Sequence, residues 1–351
     1  MANHQLQPVP RAVSTLLRTL DLHIVRPEDL SIRRRRNGHG FVYSRLNGQI
    51  LRDKATIRRL KRLAVPPAYQ DVFLSADPRA HLQAIGRDSA GRTQYRYHPD
   101  WDQVREYRKA RRLQRLAHLL PKIRSRITRL LRSRDLSREF ALAAVIELVA
   151  CTAMRPGSES YARDHGTRGA TTLLKSDVTI RGDTVTLHFR GKRGQIVDKQ
   201  VNSRRLARVL RRLAALPGRR LFQYPSVDGN GVCLVRREDV NALLRSVTGK
   251  PITLKDFRTM IACSHALSEL ASVEPKKSER GRRRQVLKTL RSVAQELANT
   301  PAVCRKSYVH AAVVEAFESG ALRRMAEKSG PPHSPAGSER MLAQVLERIT
   351  G

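Results

Sequence analysis

The amino-acid sequence predicts an α+β protein: a small β-rich N-terminal domain, then a larger, mainly α-helical domain carrying a short β-hairpin. Changes of rhythm along the chain predict it. Up to about residue 103, short alternating runs are separated by turn residues such as Asn37-Gly38 and Asp88-Ser89-Ala90-Gly91, as in strands joined by tight turns. From Val104 onward, apolar residues recur every three or four positions, the period of a helix with one buried face. Alternation returns once inside the helical part, over 184–189 and 195–199, around Gly191-Lys192-Arg193-Gly194. These rhythms divide the chain into an extension (1–30), a β-rich domain (31–103), a helical domain (104–328), and a linker with a terminal helix (329–351).

In order, the extension shows a helical pattern at Val13, Leu16, Leu17 and Leu20. After Arg33 to Arg36 come the turn residues Asn37-Gly38-His39-Gly40. Phe41-Val42-Tyr43 and Asn47-Gly48-Gln49-Ile50 then read as a β-hairpin. Ile57, Leu60 and Leu63 share one face of a short helix closed by Pro66-Pro67, and 71–75 reads as a strand. Residues 82–98 form a second hairpin, with Tyr95 and Tyr97 on one face and Arg96 on the other. Tyrosines interleaved with arginines suit contact with a nucleic acid, although both rings could instead pack inside the small domain.

Val104 opens a basic amphipathic helix that Pro121 is expected to end. The run Phe140 to Cys151 is apolar on nearly all sides and belongs in the core. Further helices are expected over 202–216, 237–247, 285–298 and 313–326. Another starts at Lys255 and would put Arg258 in its first turn, where free N–H groups face an anion. Residues 221–231 read as a loop, Lys276 to Arg284 as an exposed charged connector, and 341–349 as a small terminal helix.

Charge narrows the function before any motif does. The 351 residues include 68 Lys and Arg against 31 Asp and Glu, a formal net charge of +37. Such an excess implies a polyanionic partner, nucleic acid ahead of a membrane surface or an acidic protein. A hydrophobic share of 40 % supports packed cores and excludes a disordered basic tail. Cys151, Cys233, Cys263 and Cys304 lack CxxC spacing and no His pair stands at zinc-ligand spacing, so no metal site is expected. The thiols read as reduced, in a cytoplasmic protein. No apolar run approaches the roughly 20 residues of a membrane span, and the N-terminus lacks the pattern of a signal peptide. The expected location is the cytoplasm, with the nucleoid.

A few residues can carry chemistry. Tyr308 follows Arg305 and Lys306 in the stretch 299–308. A phenol, with a pKa of about 10, is a poor nucleophile at neutral pH, and nearby cations favour the phenolate. A buried helical aromatic is the plain alternative. Arg155 arrives on a buried helix before Pro156-Gly157, a costly placement unless it binds an anion or pairs with Glu159. Lys192, at a hairpin tip, can reach into a groove or remain a solvated loop charge. Arg258 and Asn299 complete the set.

No Asp and Glu cluster of the kind that holds Mg²⁺ is visible, and no GxxxxGK[ST] motif, so metal-dependent hydrolysis and ATP use are disfavoured. What remains is phosphoryl transfer to a tyrosine without metal or cofactor. Two arginines can clamp the charge that builds on the non-bridging oxygens, and a lysine can protonate the leaving sugar hydroxyl. The phosphotyrosine formed is a diester like the bond broken, so reversal needs no added energy.

Ordered motifs carry a family resemblance. They are Arg155-Pro156-Gly157-Ser158-Glu159-Ser160-Tyr161, Gly166-Thr167-Arg168-Gly169-Ala170-Thr171-Thr172-Leu173, Phe189-Arg190-Gly191-Lys192-Arg193-Gly194, Lys255-Asp256-Phe257-Arg258-Thr259 and 299–308. With Val65 to Val72 and Gly91 to Tyr97 upstream, the sequence resembles the type IB DNA topoisomerases of the small bacterial and poxvirus kind over roughly residues 30–325. The resemblance implies the DNA breaking-rejoining enzyme fold, a β-rich domain and a catalytic domain that close on double-stranded DNA as a monomeric clamp.

It also implies roles. Tyr308 would be the nucleophile forming a 3′-phosphotyrosyl link, and Lys192 the general acid. Arg155 and Arg258 would stabilise the transition state. Asn299 stands where the family usually has histidine; an amide donates a hydrogen bond but carries no charge. Arg92, Tyr95, Tyr97, Lys255 and Arg305 are the expected DNA contacts. Pro156, Ser158 and Met260 depart from the family's usual Ile, Asn and Trp and read as packing changes. Two alternatives are a tyrosine site-specific recombinase, which usually has His where Lys255 stands, and a nucleoid-binding protein that keeps the fold without the chemistry.

Overall fold

The computed structural model of the protein describes residues 11–226, 228–330, 332 and 334–350. The first ten residues, Val227 of the expected loop and Pro331 of the expected linker lie outside the described residues. Two compact units divide between Arg108 and Lys109.

The first unit opens with α1 (Arg11–Thr19), whose Val13 and Leu17 are buried with Trp101 and Val104. Its centre is an antiparallel sheet in the order β2-β1-β3-β4-β5. The strands are β1 (Ile32–Asn37), β2 (Gly40–Arg45), β3 (Gln70–Leu74), β4 (Leu82–Arg87) and β5 (Thr93–Tyr97). Between β2 and β3 in the chain, α2 (Lys54–Arg62) starts at Asp53, whose carboxylate accepts from the N–H groups of Ala55 and Thr56. Leu60 of α2 packs with Ile32, Val72, Leu74 and Ala84 of the sheet.

The first hairpin falls one turn earlier than expected. The arginine run is itself β1, Asn37 pairs with Gly40 across the turn, and the Asn47-Gly48 turn leads only to an isolated bridge between Ser44 and Ile50. The cause lies in Arg34, which is buried beside Ile32. Its guanidinium donates to the carbonyls of Val65, Pro66 and Tyr69 and lies 4.2 Å over the Phe41 ring. A satisfied arginine fills an inward position, so charge hides the alternation. The second hairpin forms over 82–98 as expected, with the Asp88 carboxylate accepting from the N–H groups of Ala90 and Arg92.

Helix α3 (Trp101–Leu131) runs through Pro121 rather than ending there. Proline removes one helical hydrogen bond and costs about 3 kcal/mol. Leu113, Leu116 and Leu120 before it, and Ile123, Ile127 and Leu131 after it, are all buried. At about 1.5–3 kcal/mol for each such side chain, the stripe outweighs the break.

In the second unit, α4 (Arg138–Thr152) is capped by Ser137 and buried along nearly its whole length, ending at Ala153 in a left-handed conformation (φ 51°). The short α5 (Glu159–His165) follows. The hairpin seen in the sequence is part of a three-stranded antiparallel sheet, β6 (Val178–Arg181), β7 (Thr184–Arg190) and β8 (Ile196–Asn202). After α6 (Arg204–Ala214), the expected loop contains the ribbon β9 (Gln223–Pro225) and β10 (Val232–Leu234), and α7 (Arg237–Thr248) follows.

Helix α8 (Leu254–Ala271) is central, burying Phe257, Met260, Cys263, Ala266 and Leu267. Helix α9 (Glu279–Glu296) begins inside the expected connector, because Ser278 caps it by accepting from the Gly281 N–H. Next come α10 (Pro301–Val303) and a single π-helical turn, Cys304–Tyr308. The helix expected over 313–326 is two helices, α11 (Ala311–Glu318) and α12 (Ala321–Ser329), separated at Gly320 with φ 72°. Helix α13 (Pro335–Thr350) is longer than expected and joins the main core. It buries Met341, Leu342, Val345 and Leu346, while Arg124 grips Glu339 at 2.7 and 2.8 Å.

Candidate active site

Two helix ends and the second turn of α8 build the site. Arg258 is the fifth residue of α8, not part of its first turn, and only 2 % exposed. Its Nη1 donates to the carbonyl of Ala153 and its Nη2 to that of Leu297. Those residues cap the C-terminal ends of α4 and α9, where free carbonyls and the helix dipoles favour a cation. A charge that would be expensive to bury is thereby held. Its Nε is also buried but has no partner.

Arg155 lies two residues past the cap of α4 and is half-buried. It does not pair with Glu159, which binds Arg220. Its Nη2 donates to Asn299 Oδ1 at 2.5 Å and its Nη1 to the Ala298 carbonyl at 3.4 Å. Burial, then the charge of Arg258, push its pKa down, yet a guanidinium at this level stays a cation. Asn299 thus accepts from Arg155, while its Nδ2 is buried without a partner.

Tyr308 ends the π-helical turn, a form that recurs at functional sites. Its backbone carbonyl accepts from the Cys263 thiol at 2.9 Å. The Arg258 guanidinium lies 5.1 Å from the centre of its ring. Burial pushes the phenol pKa up, but the charge of Arg258, then that of Arg155 and the nearby Asn299 amide, outweigh it and hold the phenol below its usual value. The amide contributes through proximity, since its Nδ2 reaches no acceptor with normal geometry.

Lys192 sits at the β7–β8 tip, exposed, on the wall of a cleft of about 250 Å³ that Arg155, Arg258, Lys199 and Glu296 also line. Among the described residues it makes no hydrogen bond or ion pair. Its neighbour Arg193 takes a left-handed conformation (φ 63°) that turns the chain back. The structure therefore brings Arg155, Arg258, Asn299 and Tyr308 together and puts Lys192 on the cleft that the two arginines line.

Among the other expected residues, Lys255 and Arg305 are exposed in this unit, on the first turn of α8 and in the π-helical turn. In the first unit Tyr95 and Tyr97 are exposed, their rings stacked with centroids 6.1 Å apart. Arg92 is exposed but engaged with Asp88 at 2.8 Å. Lys199 went unnoticed in the sequence. It shares the inward face of β8 with Val197 and Val201, and a lysine in step with two valines was the available signal. Among the described residues no group of three or more His, Cys, Asp or Glu stands close enough to hold a metal ion. No described helix is long and apolar enough to cross a membrane.

Comparison with known proteins agrees with this architecture. The family model of the eukaryotic DNA topoisomerase I catalytic core matches residues 98–329, and that of the bacterial DNA topoisomerase IB N-terminal domain matches residues 40–88. The DNA topoisomerase 1B of Acanthamoeba polyphaga mimivirus is 31 % identical over 294 residues, covering 82 % of this chain and 88 % of its own. A helical core preceded by a small β-rich unit, with matches of this extent, defines a DNA topoisomerase, an isomerase acting on DNA. The chain belongs to the type IB family.

Proposed function

We propose that this protein relaxes supercoiled double-stranded DNA by opening one strand through a covalent 3′-phosphotyrosyl link at Tyr308 and then resealing it. The observation that carries the reading is a pair of idle donors, Arg258 Nε and Asn299 Nδ2, buried beside a phenol held below its usual pKa. Buried donors are rarely left unpaired, and a non-bridging phosphate oxygen supplies what both lack.

In the proposed cleavage step the Tyr308 phenol gives up its proton to water, the phenolate oxygen attacks phosphorus, and the bond to O5′ breaks. Arg155 and Arg258 hold the charge that grows on the non-bridging oxygens, and Asn299 adds one neutral donor. Lys192 swings from the hairpin tip and protonates the departing O5′. Resealing is the same step reversed, with the 5′-hydroxyl as nucleophile and Tyr308 leaving. While the link persists, the free duplex end turns and torsion relaxes. The protein acts as a monomer closing on the duplex, with Tyr95, Tyr97, Lys255 and Arg305 on the DNA and Arg92 tying the β4–β5 turn that presents the two rings.

Relaxation of supercoiled plasmid in EDTA without ATP tests this. Wild-type protein should relax the plasmid and, after denaturation, leave protein on the 3′ end of the nicked strand. Tyr308→Phe should do neither while still binding DNA. Relaxation that required Mg²⁺, or that survived in Tyr308→Phe, would remove the proposal.

A further inference from the structure

A second lysine enters the cleft from β8. The Lys199 side chain is 15 % exposed and its ammonium donates three hydrogen bonds. They reach the Thr152 carbonyl, the Glu296 carbonyl at 2.9 Å and Glu296 Oε1 at 2.5 Å. An ammonium has three N–H groups, so this one has none left for a substrate. Lys199 cannot protonate a leaving group without giving up a partner.

Its partners say what it does instead. Thr152 is the last residue of α4, three before Arg155. Glu296 is the last residue of α9, three before Asn299. β8 itself pairs with β7 from Arg190 and Ile196 to Thr184 and Asn202, so the Lys192 turn is the free end of the ladder that Lys199 anchors. One side chain thus joins the segments bearing Arg155, Asn299 and Lys192. Taking an ammonium and a carboxylate out of water is costly unless geometry and hydrogen bonds repay it, and here every ammonium proton is used.

We propose that Lys199 is a positioning residue for strand cleavage, holding the β7–β8 hairpin at the register from which Lys192 meets the phosphate bound by Arg155 and Arg258. The inference rests on the acid role given to Lys192 above. In the step concerned Tyr308, its proton already lost to water, forms the Oη–phosphorus bond, the phosphorus–O5′ bond breaks, and O5′ takes a proton from Lys192. Sulfur in place of O5′ leaves as a thiolate, a far weaker base, and needs no proton. A defect in placing the acid is therefore erased by the sulfur substrate, whereas a defect in the arginines, the tyrosine or the fold is not.

The test is single-turnover cleavage of a DNA duplex with oxygen or sulfur at the scissile 5′ position, by wild type, Lys199→Met and Lys192→Ala. Lys199→Met should slow cleavage of the oxygen substrate by about tenfold to a hundredfold, below the full effect of losing a general acid, and cleave the sulfur substrate within about threefold of wild type. Equal losses on both substrates, or no loss on either, would overturn the positioning role. Lys192→Ala serves as the reference. If the sulfur substrate rescues Lys192→Ala but not Lys199→Met, the inference falls alone; if it rescues neither, the acid role of Lys192 falls first. Should Lys199→Met fail to fold, Glu296→Gln removes one charged arm of the same junction. It should show the same leaving-group pattern at smaller amplitude, and its absence would count equally against the proposal.

Discussion

Arg258 and Lys192 line one cleft under opposite conditions. Arg258 is nearly inaccessible and fastened to the ends of two helices, with its Nε left without a partner. Lys192 stands in solvent at the end of a hairpin and holds no partner among the described residues. The contrast separates two tasks. A group that stabilises developing charge works best when fixed in advance, because no reorganisation is needed as the charge appears. A group that delivers a proton must approach and withdraw, and a fully bonded ammonium such as Lys199 could not do so.

The comparison is most sharply tested at its rigid side. Arg258→Ala should lower the cleavage rate by about a thousandfold or more. It should also cost about 2 kcal/mol or more of stability, since the carbonyls of Ala153 and Leu297 lose their donor. Thermal unfolding alongside single-turnover cleavage reads both effects. Lys192→Ala should slow cleavage by about a hundredfold to ten-thousandfold while stability stays within about 0.5 kcal/mol of wild type. A clear loss of stability in Lys192→Ala would break the division between a built-in and a visiting group.

The smallest effects concern the phenol and its amide neighbour. Asn299→Ala should slow cleavage by about tenfold to a hundredfold, the worth of one hydrogen bond to a charged group. Because the native Tyr308 phenol ionises below its unfolded value near 10, cleavage should rise with pH and level off before that value. A lowered native pKa adds stability that is complete above the unfolded value and is lost as pH falls through the native one. Arg155→Ala should move the rise of the rate profile to higher pH, by removing one of the charges that favour the phenolate.

The sequence made some of this legible. Periodicity located α2, α4, α6, α7 and the 82–98 hairpin because there the chemical pattern and the buried face coincide. It failed where they part. Arg34 occupies an inward position that its charge conceals, and the Pro121 break is overridden by apolar residues on both sides of it. The α11–α12 division falls at Gly320, in a left-handed conformation that residue type alone did not announce. In the site, the identities of Arg155, Arg258, Asn299 and Tyr308 were readable from ordered motifs. Their mutual geometry was not, since the partners of Arg258 are backbone carbonyls, which leave no mark on residue type. Lys199 was missed for the same reason: two of its acceptors are carbonyls, supplied by residues 47 and 97 positions away.

The π-helical turn at Cys304–Tyr308 makes room for an extra residue beside the site. Such a turn takes one residue more per revolution than an α-helix. Deleting any one of Arg305, Lys306 or Ser307, all of them exposed, would let the segment wind into ordinary α-helix. The phenol would keep nearly its present phase, because the α-helix spends one residue fewer on the same revolution. The turn therefore carries one extra exposed residue beside the site, and with it Arg305, without turning the phenol away from its arginines.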